Sequence, residues 1–70
     1  MKELVKIKIN PKDINFFNRI MEGYEYLGMV STLDKQEGIV IVRTTPDTYD
    51  EVRKILDHFP LEQLEYVEAN

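Results

Sequence analysis

The chain has 70 residues, of which 43% are hydrophobic and 31% are charged, and its formal net charge is −4 at pH 7. This composition is typical of a folded globule rather than a disordered segment, and the length allows a single domain, residues 1–70. The acidic balance argues against a general nucleic-acid binder, because neutralising phosphates requires a basic surface. No cysteine is present, so disulfides and thiolate metal sites are excluded.

The first predicted elements are a strand and a helix. Residues 4–9 alternate apolar residues with lysines, which predicts a half-buried strand. Asn10 and Pro11 follow, and these residue types suit the cap and the first position of a helix. Residues 14–24 then repeat apolar side chains at helical spacing, which predicts a helix with one buried face. Gly23 is expected to end this helix as a left-handed C-cap.

A β-hairpin is predicted next. Residues 26–33 form its first strand, and residues 38–45 form a strand whose β-branched run indicates burial on both faces. If residues 34–37 form the loop between them, Val30 and Ile41 lie on the same face of the sheet. A register error of one residue would exchange the two faces, because side chains alternate along a strand.

The last predicted elements are a second helix and a fourth strand. Thr45 and Pro46 repeat the helix-start signal, and residues 49–59 carry an apolar stripe that stops at Pro60. Residues 61–69 supply the fourth strand. With right-handed crossovers, the order βαββαβ predicts an α+β, ferredoxin-like sandwich, in which a four-stranded antiparallel sheet of order 4-1-3-2 carries both helices on one face.

Two helices leave the other sheet face open. The residues predicted on this face or its interface are Lys6, Lys8, Tyr26, Val30, Ile39, Ile41 and Arg43. Two isoleucines on a central strand indicate that the face is covered, and we expect a homodimer formed by face-to-face packing or by edge-strand pairing. The alternative is a monomer in which the stems of the cationic side chains cover the isoleucines.

The open face also raises the possibility of single-stranded nucleic acid. Lys6, Lys8 and Arg43 could contact phosphates, but the central strands offer no aromatic residue for base stacking. Binding of single-stranded nucleic acid is therefore an alternative function rather than the favoured one, and a module that only interacts with other proteins is a second alternative. No apolar run approaches membrane-spanning length, and the first residues contain no apolar signal core, so we expect a cytoplasmic protein without a membrane partner.

The sequence offers little material for catalysis. His58 is the only histidine and Ser31 the only serine, so neither a nucleophilic triad nor a transition-metal site can be assembled. We expect no enzyme, no cofactor and no metal.

The best candidate for a binding site is the turn after the first strand. Asn10, Lys12 and Asp13 are its candidate ligand residues, because a helix N-terminus can hold a small anionic or zwitterionic ligand on its N–H groups. The alternative is that this turn only caps the helix.

The βαββαβ order over the whole chain resembles the ACT-type regulatory domains, which are small ferredoxin-like modules that pair through their sheets and often bind amino acids at the interface. The sequence is also similar to a family of short bacterial proteins, domain of unknown function 4911. The matching pieces are Asn10-Pro11-Lys12-Asp13-Ile14, Glu22-Gly23-Tyr24-Glu25, Leu33-Asp34 and Gly38 before the apolar strand. The ACT resemblance implies a dimeric regulatory module with an amino-acid-like ligand, and the other resemblance implies no activity.

Overall fold

The fold was obtained as a computed structural model and is described for residues 3–67. Its elements are β1 (Leu4–Ile9), a 3-10 turn (Pro11–Asp13), α1 (Ile14–Glu22), β2 (Met29–Asp34), β3 (Ile39–Arg43), α2 (Tyr49–Asp57) and β4 (Leu64–Tyr66). The strands form one four-stranded antiparallel sheet, which confirms the α+β class. The strand order is β2-β3-β1-β4, or 4-1-3-2 when it is read from the other edge.

The core lies between one face of this sheet and the two helices. Alternate residues of β1 and β3 point into it, as expected from a period of two residues. The rings of Phe17 in α1 and Phe59 after α2 meet with their centroids 4.8 Å apart. The buried residues of the core are Val5, Ile7, Ile9, Ile14, Phe17, Met21, Leu27, Val40, Val42, Val52, Leu56 and Phe59.

The segment after α1 departs from the sequence prediction. The prediction of a left-handed C-cap at Gly23 is wrong, because its φ is −69°. The chain continues in turns: the N–H of Tyr24 donates to the carbonyl of Met21 at 2.9 Å, and the N–H of Leu27 donates to that of Tyr24 at 2.8 Å. These turns bury Leu27 in the core and delay the start of β2 to Met29.

Because β2 starts later than predicted, two residues predicted on the open sheet face lie in other places. Tyr26 lies in the turn before β2 rather than in the sheet, so its predicted place on the sheet face is wrong. Val30 pairs with Val42 and packs against the core, so its predicted place is wrong as well. The predicted register is off by one residue, because Asp34 extends β2 beyond an irregularity between Thr32 and Asp34.

The ends of the sheet are fixed by the hairpin turn and by Gly38. The carboxylate of Asp34 accepts the N–H groups of Gln36 and Glu37, each at 3.0 Å. Gly38 has a φ of +75°, and a Cβ atom there would lie 1.8 Å from the carbonyl oxygen of Ile9. Its carbonyl accepts the N–H of Ile9 at 2.9 Å. Only glycine allows β1 and the hairpin to approach this closely.

The fourth strand is shorter than predicted. β4 contains Leu64–Tyr66, because the chain after α2 first crosses the end of the sheet in residues 60–63 before it pairs with β1. Residues 68 and 69 of the predicted strand lie outside the described residues. The late start of β4 leaves residues 60–63 beside the turn that follows β1.

Candidate functional site

The turn after β1 is a capped helix start. The side-chain oxygen of Asn10 accepts the N–H of Lys12 at 3.1 Å, and its backbone carbonyl accepts the N–H of Asp13 at 2.8 Å. The N–H of Ile14 donates to the carbonyl of Pro11. Because these N–H groups are already bonded, a ligand at this turn must be recognised by side chains rather than by free backbone donors.

An open depression of about 480 Å³ lies between this turn and residues 60–63. Asn10, Lys12 and Asp13 all line it, so the structure brings the sequence-predicted ligand residues together. Glu62 and Gln63 complete the wall. Sequence reasoning missed these last two residues because it assigned them to a strand. Pro60 was the available signal, since a proline two residues after the C-cap of a helix marks a connection that cannot continue the helix.

The depression combines both signs of charge with an apolar surface. Lys12 supplies an ammonium group, and Asp13 and Glu62 supply carboxylates. The ring of Phe16, which is 44% exposed, forms part of the lining. A molecule that carries a carboxylate and an ammonium group matches this arrangement. Each ionic contact would be screened by water, because these charged side chains are exposed or only half-buried.

The open sheet face contains the central isoleucines and their cationic neighbours. The register pairs Ile41 with Lys6 and Ile39 with Lys8, and Arg43 lies at the end of β3. Ile41 is only 4% exposed, although it points away from the core. Its cross-strand neighbours are Lys6 and Ser31, and both are half-buried. Within one chain, the stems of neighbouring side chains therefore cover part of this face.

One cation of the open face is already paired. The ammonium group of Lys8 lies 3.8 Å from a carboxylate oxygen of Glu37 in the hairpin turn. Both side chains are largely exposed, so this ion pair contributes little stability. It does, however, reduce the positive charge that the face offers to a phosphate.

The β2 edge carries exposed apolar side chains. Met29 is 71% exposed and Leu33 is 56% exposed, and both belong to β2, which is an edge strand. Tyr26, just before this strand, is 73% exposed. The register predicted from the sequence was off by one residue, so it did not reveal that Met29 and Leu33 are exposed. The exposed edge became visible only with the observed pairing.

A polar cluster ties β4 to α2. The guanidinium carbon of Arg53 lies 3.9 Å from the centre of the Tyr66 ring, and Arg53 Nη1 donates to the hydroxyl of Tyr49 at 3.1 Å. The Tyr66 hydroxyl donates to the carboxylate of Asp57. Burial of the ring, followed by this hydrogen bond, raises the pKa of Tyr66 above its ordinary value of 10.0. The cluster therefore anchors the short strand β4 to α2.

His58 contacts the backbone of α2. His58 follows α2, and its Nδ1 lies 3.0 Å from the carbonyl oxygen of Lys54. Within residues 3–67, no group of three or more histidine, cysteine, aspartate or glutamate side chains is arranged to hold a metal ion. No helix in the same range is long and apolar enough to cross a membrane.

The fold and the depression define a small α+β domain with one open sheet face. Residues 7–62 match the family described as Domain of unknown function (DUF4911). This match spans most of the 70 residues, so the chain belongs to that family, and the family resemblance seen in the sequence is confirmed. No match was found among curated proteins or among solved structures. The family description assigns no activity, so function must be argued from the geometry.

Proposed function

We propose that this domain is a non-catalytic, ferredoxin-like and ACT-like regulatory module that binds a small amino-acid-like ligand and self-associates. The observation that carries the proposal is that Asn10, Lys12 and Asp13 line one depression together with Glu62 and Gln63. These residues come from opposite ends of the sequence, and together they present a cation, carboxylates and carboxamides. A zwitterion offers a carboxylate to the cation, an ammonium group to the carboxylates, and hydrogen-bonding groups to the carboxamides.

Recognition follows from the charges of the lining. The ammonium of Lys12 receives the ligand carboxylate, while Asp13 and Glu62 receive the ligand ammonium group. The carboxamide of Gln63 can donate or accept, and Phe16 provides an apolar surface for the ligand side chain. Because these groups are exposed, each contributes modestly, and we expect dissociation constants near the millimolar range, about −4 kcal/mol of binding free energy.

A ligand in this depression has a route to regulation. It would bridge the turn after β1 and the connection that leads into β4, two segments that share the depression. β4 has three residues and is therefore the least extensively paired strand. A ligand that holds residues 60–63 stabilises the docking of β4, so binding and the stability of this edge are coupled.

The rival function, single-stranded nucleic-acid binding on the open face, has less support. Lys6, Lys8 and Arg43 are on that face, but Lys8 is paired with Glu37. β1 and β3, the central strands, contain no aromatic side chain, so bases have no stacking platform there. Nucleic-acid binding is therefore the less supported function, and the screen described next includes short RNA to test it.

The test is a thermal-unfolding screen against amino acids, nucleotides and short RNA. A ligand at 100 times its dissociation constant adds about 2.7 kcal/mol to the unfolding free energy, which raises the melting temperature of a domain this small by roughly 10–20 °C. We expect a response to one or more amino acids. No response to any amino acid would refute the ligand proposal, and a salt-sensitive response to RNA alone would favour its rival.

Matched variants locate the response. Lys12→Gln removes the cation of the depression and should weaken amino-acid binding by roughly fivefold, equivalent to about 1 kcal/mol. Lys54→Gln makes the same chemical change on α2, outside the depression, and should leave binding unchanged. Equal affinities in the two variants would show that the ligand binds elsewhere.

A further inference from the structure

We propose that the β2 edge is a self-recognition surface, and that it pairs antiparallel with β2 of a second copy about a two-fold axis at Ser31. This pairing would join two four-stranded sheets into one continuous sheet. The inference rests on the self-association part of the proposed function and is independent of the ligand depression.

The first support is that the β2 edge is unprotected. Edge strands of stable monomers usually carry lysine, proline or strong bulges that block pairing with another chain. β2 has the sequence Met-Val-Ser-Thr-Leu-Asp, which contains neither lysine nor proline, and its one irregularity lies between Thr32 and Asp34, at the end of the strand. Its one charged residue, Asp34, lies at the end of the strand and caps the hairpin turn. Most of the edge is therefore free to pair.

The other sheet edge is a poorer template. β4 has only three residues, and its central position is the charged residue Glu65. Tyr66 is held against α2 by Arg53 and Asp57. Short, charged edges resist strand addition, so β2 is the edge that a second copy would use.

The second support is that the exposed apolar residues of β2 are self-complementary. Met29 and Leu33 lie two residues before and two residues after Ser31. In an antiparallel pair centred on Ser31, Met29 of one copy faces Leu33 of the other, and the reverse contact occurs across the axis. An interface that uses the same patch twice is the usual form of a symmetric dimer, and it covers the two exposed large apolar side chains of β2.

The third support is a groove along the same edge. A space of about 310 Å³ lies between α1 and β2 and is lined by Asn18, Met21 and Val30, among others. Among the described residues, the side-chain oxygen of Asn18 is buried and has no hydrogen-bond partner. Pairing about Ser31 brings Thr32 of the second copy opposite Val30, on the side of the groove. Its hydroxyl is a donor of the kind that the Asn18 oxygen lacks.

Charge also favours the edge over the open face, and it predicts the effect of salt. Face-to-face stacking would bring the Lys6 and Arg43 side chains of two copies together. Edge pairing avoids that contact but brings Glu22 and Glu25, which line the groove, closer to their counterparts. Screening these carboxylates should strengthen the dimer, whereas salt weakens binding to nucleic acid.

The register is tested by a single introduced cysteine. The chain has no cysteine of its own, so Ser31→Cys introduces a single thiol at the proposed axis. Directly opposed residues of antiparallel strands are close enough for a disulfide. Under mild oxidation, we expect a covalent dimer from Ser31→Cys and none from Asp47→Cys, which changes an exposed residue outside the sheet. Equal, inefficient cross-linking of both variants would overturn the register.

The interface is tested by sedimentation and by charge swapping. Wild type should be dimeric at tens of micromolar and more so at high salt. Met29→Lys and Leu33→Glu should each be monomeric. The double variant should recover the dimer, because the register places each new cation opposite a new carboxylate. Phe16→Lys introduces lysine at an exposed apolar site on α1 and should remain dimeric. A monomeric wild type, or single variants of β2 that stay dimeric, would refute the proposal.

The two proposals fail separately. Met29→Lys should retain its thermal response to amino acids, while Phe16→Lys should lose part of that response without losing the dimer. Circular dichroism of each variant checks that the fold is intact. Loss of both properties in Met29→Lys with an intact fold would contradict the independence of the edge from the depression.

Discussion

Gly38 is the residue whose replacement tests the observed geometry most severely. Its φ of +75° and the 1.8 Å approach of its missing Cβ to the Ile9 carbonyl oxygen leave no place for a side chain. We predict that Gly38→Ala strongly destabilises the domain. An alanine in the left-handed region costs about 1–2 kcal/mol. The clash must also separate β1 from the hairpin and weaken the Ile9–Gly38 hydrogen bond, which adds about 1 kcal/mol.

The total loss of about 2–3 kcal/mol is large for a domain of this size. At roughly 0.05–0.15 kcal/mol per residue, it removes a substantial part of the stability. The melting temperature should fall by roughly 10–20 °C. Thermal and urea unfolding followed by far-ultraviolet circular dichroism would measure the change. An equal slope of the urea transition in wild type and Gly38→Ala would show that both expose the same surface on unfolding.

The other glycines provide graded controls. A Cβ at Gly23 would lie 3.4 Å from the Ile20 carbonyl oxygen with an ordinary helical φ, so Gly23→Ala should be neutral or should stabilise by about 0.4–1 kcal/mol. At Gly28 it would lie 2.7 Å from the Arg43 carbonyl oxygen, so Gly28→Ala should be intermediate. A Gly38→Ala variant as stable as wild type, or no more damaging than Gly23→Ala, would refute this reasoning.

Three further predictions concern other parts of the fold. Ile41→Ala should lower the free energy of unfolding by about 2 kcal/mol or more, because the Ile41 side chain is 4% exposed. Ile39→Ala changes a half-buried position and should lower it less in the same urea titration. Asn10→Ala removes the cap of the first helical turn and should cost about 1 kcal/mol. Because the pKa of Tyr66 is raised, the folded state holds the phenolic proton more tightly than the unfolded state does. The contribution of this proton to the free energy of unfolding is complete below pH 10 and is lost as the pH rises above it. Tyr66→Phe should therefore lose less stability than wild type above pH 10 in alkaline unfolding curves.

The sequence predicted the parts of the fold that local patterns determine. The alternation in β1 and the β-branched run in β3 identified both central strands, and β1 has the predicted bounds. Asn10 and Pro11 marked the start of the 3-10 turn that leads into α1. Each of these signals lies within a short segment and can be read without knowing what the segment contacts.

The second strand escaped prediction because its position depends on contacts distant in sequence. The turns after Gly23 contain residues that also suit a strand, so β2 starts later than predicted. The irregularity at Leu33 then shifts the pairing of β2 with β3 by one residue. That shift sends Val30 to the core and exposes Met29. The depression depends on the packing of residues 60–63 beside Asn10, so its second wall was equally hidden from local reasoning.

The most direct test of the proposed function is a two-dimensional ¹H–¹⁵N NMR titration with amino acids that respond in the thermal screen. If the depression is the binding site, the shifted backbone signals should cluster at residues 10–16 and 61–63, and the β2 edge should be unaffected. Shifts confined to Lys6, Lys8 and Arg43 on the open face, or none at saturating amino acid, would contradict the proposal.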